Sequence, residues 1–469
     1  MSLSTFNTLN TAARGLAAAR QQIAIAGQNT ANAGTVGYTR QSVQLQGLAG
    51  TQGAGLFPGP AGPGQGVGVA GLDRAASAFL DRQVRTAVAQ SGFQGVRAEM
   101  YSGIEDVLKE PGDQGISSAL NGFYAAWQDV ANSPDSEAST AVLLERATSL
   151  AARIATDHGT LSGQWHNQVA ALRTNVDQAN VFASQLAELN STIRQTVANG
   201  GSANELLDSR DQIGEQLAGL TGGQLRVNPD GTADFLVGGN ALVEGDTAKS
   251  LQVTPAGNAQ PGDVLTVAWS HRGAGSGIDA SAGVDGGLIA GRLSATSPAG
   301  PLVSSLDAYD TLATSLATGT NAAHSTGVTA DGAAGGDFFT YDPANPALGL
   351  SVQITSPADV AFAAPGGGAL DGSVADAISQ LGAGVSKPWA GFVTGTGAAS
   401  RAALDGLAVS STSEATARSS QLSLGSVDLD EEAVNLVTFQ HAFQASARVL
   451  TAVDEMLDIL INRTGMVGR

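Results

Sequence analysis

The sequence predicts a mainly α-helical fold with a β-rich insertion: a long coiled-coil-like helical bundle built from both termini, plus a smaller β domain. Three observations predict it. Apolar residues recur at alternating steps of three and four over long stretches of the chain. The period changes to two at Gly222 and returns to a helical one from about Arg401. Two such seams lie at opposite ends of the 469 residues and run almost to both termini.

The first helix, from Ser2 to Gly27, carries only Arg14 and Arg20 as charges. Phe6, Leu9, Ala13, Leu16 and Ile23 give it a narrow seam of the coiled-coil kind, interrupted once by Arg20. The stretch NTANAGTVGYTR (29–40) follows, and its Asn29, Asn32, Gly34 and Gly37 are expected to stop the helix, because Asn and Gly tolerate the left-handed conformation that closes a last turn. Tyr38 offers an aromatic body with a polar tip. With Thr39 and Arg40 it completes a joint that turns the chain into an arm able to lie against a neighbouring copy. That arm, GLAGTQGAGLFPGPAGPGQG (47–66), cannot be helix.

Helical pattern resumes near Leu72 and lasts to about Leu220, with Ser133-Pro134-Asp135 read as a helix start and Ser202 with Glu205 as a capping box. Its longest seam is Val169, Leu172, Val176, Ala179, Ala183, Leu186, Ile193 and Val197, broken only at Asn190. Leu225 and Val227 alternate into the turn NPDG (228–231), and Ala233, Phe235 and Val237 alternate back as a hairpin. VLTVAW (264–269) is a further strand, a helix-like segment spans about Leu288 to Ala323, and strand signals recur around Phe338–Tyr341 and Leu350–Ile354. Asp428 caps the last helix with acids at 430, 431 and 432 complementing its dipole. On it Leu436, Phe439, Phe443, Ser446, Leu450, Val453, Leu457 and Leu460 form a seam with one polar member. The expected division is therefore terminal helices at 1–40 and 430–469, a long-helix rod at 41–222 and 396–429 (with a Gly/Pro-rich arm at 41–70), and a mainly β outer domain at 223–395 with a helix near 288–323.

Composition narrows the function. The net charge of −19, with three lysines (Lys109, Lys249, Lys387), argues against binding to a nucleic-acid backbone or an anionic membrane. Charged residues are 14%, against about a quarter in an average domain. Cysteine is absent, which excludes disulfides, thiol catalysis and Cys-based zinc sites. The N-terminal MSLSTFNTLNTAARG has neither the basic nor the apolar region of a cleaved secretory signal.

No catalytic, cofactor or metal site emerges. Gly66, Gly68 and Gly71 fit G-x-G-x-x-G, but FPGPAGPGQ cannot be the buried strand a dinucleotide site requires before it. DLDEEA (428–433) has Ala433 where a calcium loop turns on Gly and Phe439 where its bidentate Glu belongs. The five histidines (158, 166, 271, 324, 441) make no H-E-x-x-H. The sequons at Asn190 and Asn462 both sit in helical pattern.

Several segments resemble the bacterial flagellar axial proteins, the rod, hook and hook-associated proteins. They are NTANAGTVGYTRQ (29–41), NELLDSRDQIGEQLAGLTG (204–222), LRVNPDGTADFLVGGNALVEG (225–245), AAGGDFFTY (333–341) after NAAHSTG, and above all VDLDEEAVNLVTFQHAFQASARVLTAVDEMLDILIN (427–462). They fall in the family's order, whereas 390–425 matches weakly and the β region is short. The resemblance implies an extracellular structural component at the hook–filament junction, exported unfolded by the flagellar type III apparatus without a cleaved signal peptide. It implies a ring-like self-assembly and, as partners, hook protein, hook-associated protein 3 and an export chaperone at the C-terminal helix. The termini would form an inner tube through Phe6, Leu9, Leu16, Ile23, Leu436, Phe439, Phe443, Leu450, Val453, Leu457 and Leu460, with the joint at Asn29, Asn32, Gly37, Tyr38, Thr39 and Arg40. An alternative left open is a surface adhesin or antigen acting through the β insertion.

Overall fold

The computed structural model describes residues 5–49, 64–271 and 281–459. Helix α1 (Thr5–Asn32) leads through the joint into strands β1 (Gln41–Gly47) and β2 (Val67–Arg74), an antiparallel pair. The two ends of the arm therefore lie against their own helix α1. Gly66 makes this approach possible: its φ is +87°, and a Cβ there would sit 3.1 Å from Thr11 Cγ2. Arg14 donates to the Gln65 carbonyl at 3.3 Å and fixes the same contact. The middle of the arm lies outside the described residues.

Helices α2 (Ala78–Leu108), α3 (Ile116–Asn132), α4 (Glu137–Ala198) and α5 (Asn204–Thr221) build the rod. At 62 residues α4 is about 90 Å long. Its seam is buried from Leu143 through Ile193. The start of α4 is displaced from the expected one: Ser133 closes α3, and Ser136 caps α4 by accepting from Ser139 N–H at 3.2 Å. The capping box at Ser202 does not form either, since α5 begins after Ala203 and Glu205 is occupied at the joint.

A lobe following α5 begins with a four-stranded sheet in the order β3 (Gln224–Val227), β4 (Ala233–Val237), β5 (Asn240–Glu244), β6 (Thr247–Ala248). Strands β7 (Leu251–Thr254) and β8 (Thr266–Trp269) pair separately. The helix expected over 288–323 is two, α6 (Gly287–Thr296) and α7 (Pro301–His324), because the backbone leaves helical geometry at Ser297 and Pro301 opens a new first turn. Strand β9 (Phe339–Thr340), the short α8 (Pro346–Gly349), β10 (Ser351–Val352) and α9 (Ser373–Ser379) complete the lobe. The chain returns through α10 (Gly382–Gly425) and ends in α11 (Leu429–Asp458).

Two asparagines fasten the lobe to α4. Asn190, fully buried at the break in the seam, donates to the Ala233 and Gly245 carbonyls (2.7 and 2.6 Å) and accepts from Ala233 N–H at 2.9 Å. Asn180 exchanges the same pair of bonds with Leu251, at 2.9 and 2.8 Å. Trp127, Phe123, Phe338 and Phe339 pack edge-on or tilted in the core between α3 and the lobe, with Trp127 and Phe338 centroids 5.2 Å apart. In α10, a start at Gly382 rather than near Arg401 brings Val385 and Trp389 into the core. Helix α10 packs along α2, and α1 along α11.

Candidate functional site

The chemistry-bearing polar groups gather where the terminal helix pair meets the rod. Asn29 lies inside α1, not at its stop, and is 1% exposed. Its amide donates to the Gln41 carbonyl (2.9 Å), while its oxygen accepts from Gln41 N–H (3.0 Å) and Tyr38 Oη–H (2.8 Å). The helix end and the first strand are thus held by one side chain. Asn32 closes the last turn by donating to the Gln28 carbonyl at 3.0 Å, and Gly37 turns the chain at φ +83°. Gly34 is not in the left-handed region.

The remaining joint residues tie this turn to other elements. Thr39 N–H donates to Asp208 of α5 at 3.0 Å. Arg40 donates to Glu432 (2.7 Å) and Glu431 (2.9 Å) at the start of α11, and its N–H to the Gly425 carbonyl at the end of α10. Burial alone would lower the Arg40 pKa; Glu432 and then Glu431 more than offset it and hold the guanidinium above its ordinary value. Tyr38 is pushed up to about 12 by burial and by Glu205, Asp208 and Glu432, so it stays a donor to Asn29. Arg74, at the end of β2, splits between Asp208 and Asp211, both at 2.7 Å. Gln41 and Gln28 both donate to Glu205, at 3.1 and 2.5 Å.

The apolar seams sit differently from their strict spacing. On α1 the buried positions are Ala12, Ala18, Ala19, Ile25 and Ala26, while Leu9, Leu16 and Ile23 are half-buried and Phe6 is 67% exposed. On α11 Val453 is buried, and Leu436, Phe439, Phe443, Leu450 and Leu457 are half-buried. Leu460 lies outside the described residues. The two helices approach closely at a pair of small residues: a Cβ on Gly15 would lie 3.1 Å from Ser446 Oγ, which accounts for the polar member of the seam.

A second stripe runs along the opposite side of α11. Val434, Val437, His441, Ala445, Val449, Ala452, Met456 and Ile459 are exposed, follow steps of three and four, and include no Asp, Glu, Lys or Arg. It spans about 37 Å. The sequence reading missed it because the first seam absorbed the helical period. Among the described residues no cluster could hold a metal ion, and no helix is long and apolar enough to cross a membrane.

Residues 101–339 match the model of the flagellar hook-associated protein FlgK helical domain, and 424–463 that of the flagellar basal body rod FlgEFG protein C-terminal region. The chain is similar to flagellar hook-associated protein 1 of Bacillus subtilis, 29% identical over 516 aligned positions that cover 99% of this chain and all of that one. It is 32% identical to the Salmonella typhimurium protein of the same name, over 71% of this chain and 59% of the relative. The structure of the flagellar hook junction protein FlgK from Burkholderia pseudomallei has the same fold, with TM-score 0.61 at 16% identity, covering 73% of this chain and all of that one.

Proposed function

The chain belongs to the flagellar hook-associated protein FlgK family, and from that premise we propose that it joins hook to filament by self-association of its paired terminal helices. It is a structural, non-enzymatic component of the flagellum, located extracellularly at the hook–filament junction. The observation that carries the mode of assembly is the second apolar stripe of α11. That exposed, mainly apolar face lies on the side of α11 away from the seam shared with α1 and carries Arg448 and Glu455 as its charges. A neighbouring copy's α1 supplies a matching surface in Phe6, Leu9, Leu16 and Ile23, which stay partly exposed after packing on α11.

On this reading 1–40 and 430–469 form the inner layer, 41–222 with 396–429 the rod, and 223–395 the outer surface. Copies close into a ring between hook protein on one side and hook-associated protein 3 on the other. The same α11 stripe is the surface an export chaperone would cover before assembly. The test is electron microscopy of cells whose copy of the chain lacks 436–469, with flagellin assayed in the medium. Hooks without filaments, and flagellin lost to the medium, are expected; normal filaments would overturn the reading.

A further inference from the structure

A cavity of about 460 Å³ opens at the joint, between the 33–39 turn, the start of α2, α5 and the end of α10. Its lining is mixed. Val36, Leu80, Leu422 and Leu424 provide an apolar wall, and the first, third and fourth are largely exposed to solvent. Charged groups stand among the remaining lining residues, and nearly all of them are engaged. Asp208 accepts from Arg74 and from Thr39 N–H. Asp211 is shared by Arg74 and Arg210, each at 2.7 Å. Arg418 holds Glu215 at 2.7 Å and Glu414 at 3.0 Å. Asp81 accepts from Gln421 at 2.8 Å.

Arg85 is left over. It lines the cavity, is 7% exposed, and among the described residues its side chain makes no hydrogen bond and no ion pair. Asp81 lies one helical turn before it on α2, yet the two do not bond. Burial acts against the Arg85 charge and lowers its pKa from the ordinary value; Asp211 and Asp81 only partly oppose this. A guanidinium cannot give up its proton in practice, so it stays charged and costs stability where it stands. Such a residue suits an anion that arrives from outside.

We propose that this cavity is a carboxylate-binding site in which Arg85 receives an acidic side chain from a second copy of the chain. The lining selects the ligand. Asp81, Asp208, Asp211 and Glu215 share the lining with the guanidinium and would repel a doubly charged phosphate more than a single carboxylate. The apolar wall suits a carboxylate carried on a hydrocarbon stem. The second copy is the source that composition favours: with 42 acidic residues against 23 basic ones, a neighbouring copy is rich in carboxylate side chains. Occupancy would brace the joint only in the assembled state, leaving the single copy adjustable beforehand.

This inference rests on the self-association proposed above, so its first test avoids assembly. The unassembled full chain is titrated with 4-methylpentanoate, a carboxylate with an apolar body, and followed by thermal shift and NMR. Stabilisation is expected, with affinity reduced about tenfold or more in Arg85→Met, the range for loss of a charge-assisted hydrogen bond. Arg85→Met alone should melt at or above the wild-type temperature while impairing junction formation in cells. A purely structural Arg85 would show the reverse. In the second test Arg85→Lys is assembled and treated with a carbodiimide, which condenses an amine with an adjacent carboxylate to an amide. Mass spectrometry should find position 85 joined to an Asp or Glu of another copy. No stabilisation by 4-methylpentanoate overturns the site. Stabilisation with amides found only within one copy overturns the second copy as its occupant. The self-association reading itself is judged separately, by the filament images.

Discussion

Replacing Asn29 with Ala should open the joint without unfolding the rod. The side chain is 1% exposed and makes three hydrogen bonds, accepting from Gln41 N–H and from the Tyr38 hydroxyl and donating to the Gln41 carbonyl. Tyr38 is half-buried and can recover a water, so its bond is the cheapest to lose. Gln41 is 3% exposed, and both its main-chain groups would be left unsatisfied at about 1–3 kcal/mol each. Partial relaxation of β1 reduces the sum to about 2–4 kcal/mol. At 1.4 kcal/mol per factor of ten, amide exchange over 38–46 should quicken by about 30- to 700-fold. Hydrogen exchange read by mass spectrometry resolves this, with the α4 peptides as an internal control. Asn29→Asp keeps the acceptors but loses the donor and adds a charge near Glu205 and Glu432, and it should fall on the same side as Ala. Unchanged exchange over 38–46 in Asn29→Ala would refute the claim that this side chain holds the helix end to the strand.

Other outcomes follow from single contacts. Gly15→Leu should weaken the α1–α11 pair by about 1–3 kcal/mol, since even a Cβ meets Ser446 Oγ at 3.1 Å; Gly15→Ala should be tolerated, and limited proteolysis of α1 separates the two. Arg74→Ala leaves the buried Asp208 without its ion-pair partner while Asp211 keeps Arg210, and should cost about 3 kcal/mol in denaturant unfolding. His324 is fully buried, with Nδ1 facing the Gly336 carbonyl at 2.7 Å and Nε2 accepting from Ala361 N–H at 2.8 Å, and burial lowers its pKa from 6.5. Its unfolded form therefore takes up the proton first, so stability present above pH 6.5 is lost as pH falls through and below that value. Urea midpoints at about pH 5 and about pH 7.5 should differ more in the wild type than in His324→Gln.

Much of the fold was legible because long helices repeat their burial pattern many times. The α4 seam from Val169 to Ile193 was readable for that reason, and the same regularity made Asn190 look like a defect. It is the clasp that receives the β3–β4 hairpin, a role that only a partner 43 residues away reveals. The beginning of α10 was missed because Gly382, Gly384, Gly391, Gly395, Gly397 and Pro388 weigh against helix locally, while burial of Trp389 and packing on α2 prevail. Tyr38 and Arg40 stood out by residue type. Their partners did not, since Glu431 and Glu432 were already accounted for by the dipole of α11, and no local period links positions 391 residues apart. The α1 seam shows the remaining limit: Ala carries little hydropathic contrast, yet Ala12, Ala19 and Ala26 are what the close approach buries.

Arg40 and Gly425 meet through a main-chain hydrogen bond of 2.9 Å, so the long stretch between them leaves and re-enters the joint at one spot. For a flexible insertion in a loop of that stretch, closure costs free energy only as the logarithm of its length, about 0.6 kcal/mol for each doubling. Everything beyond the tie is therefore suspended from a fixed pair of anchor points. Residues can be added to or removed from the lobe with little effect on how the two ends are presented. The size of the lobe and the fit of the terminal helices become separately adjustable, and selection can alter one without renegotiating the other.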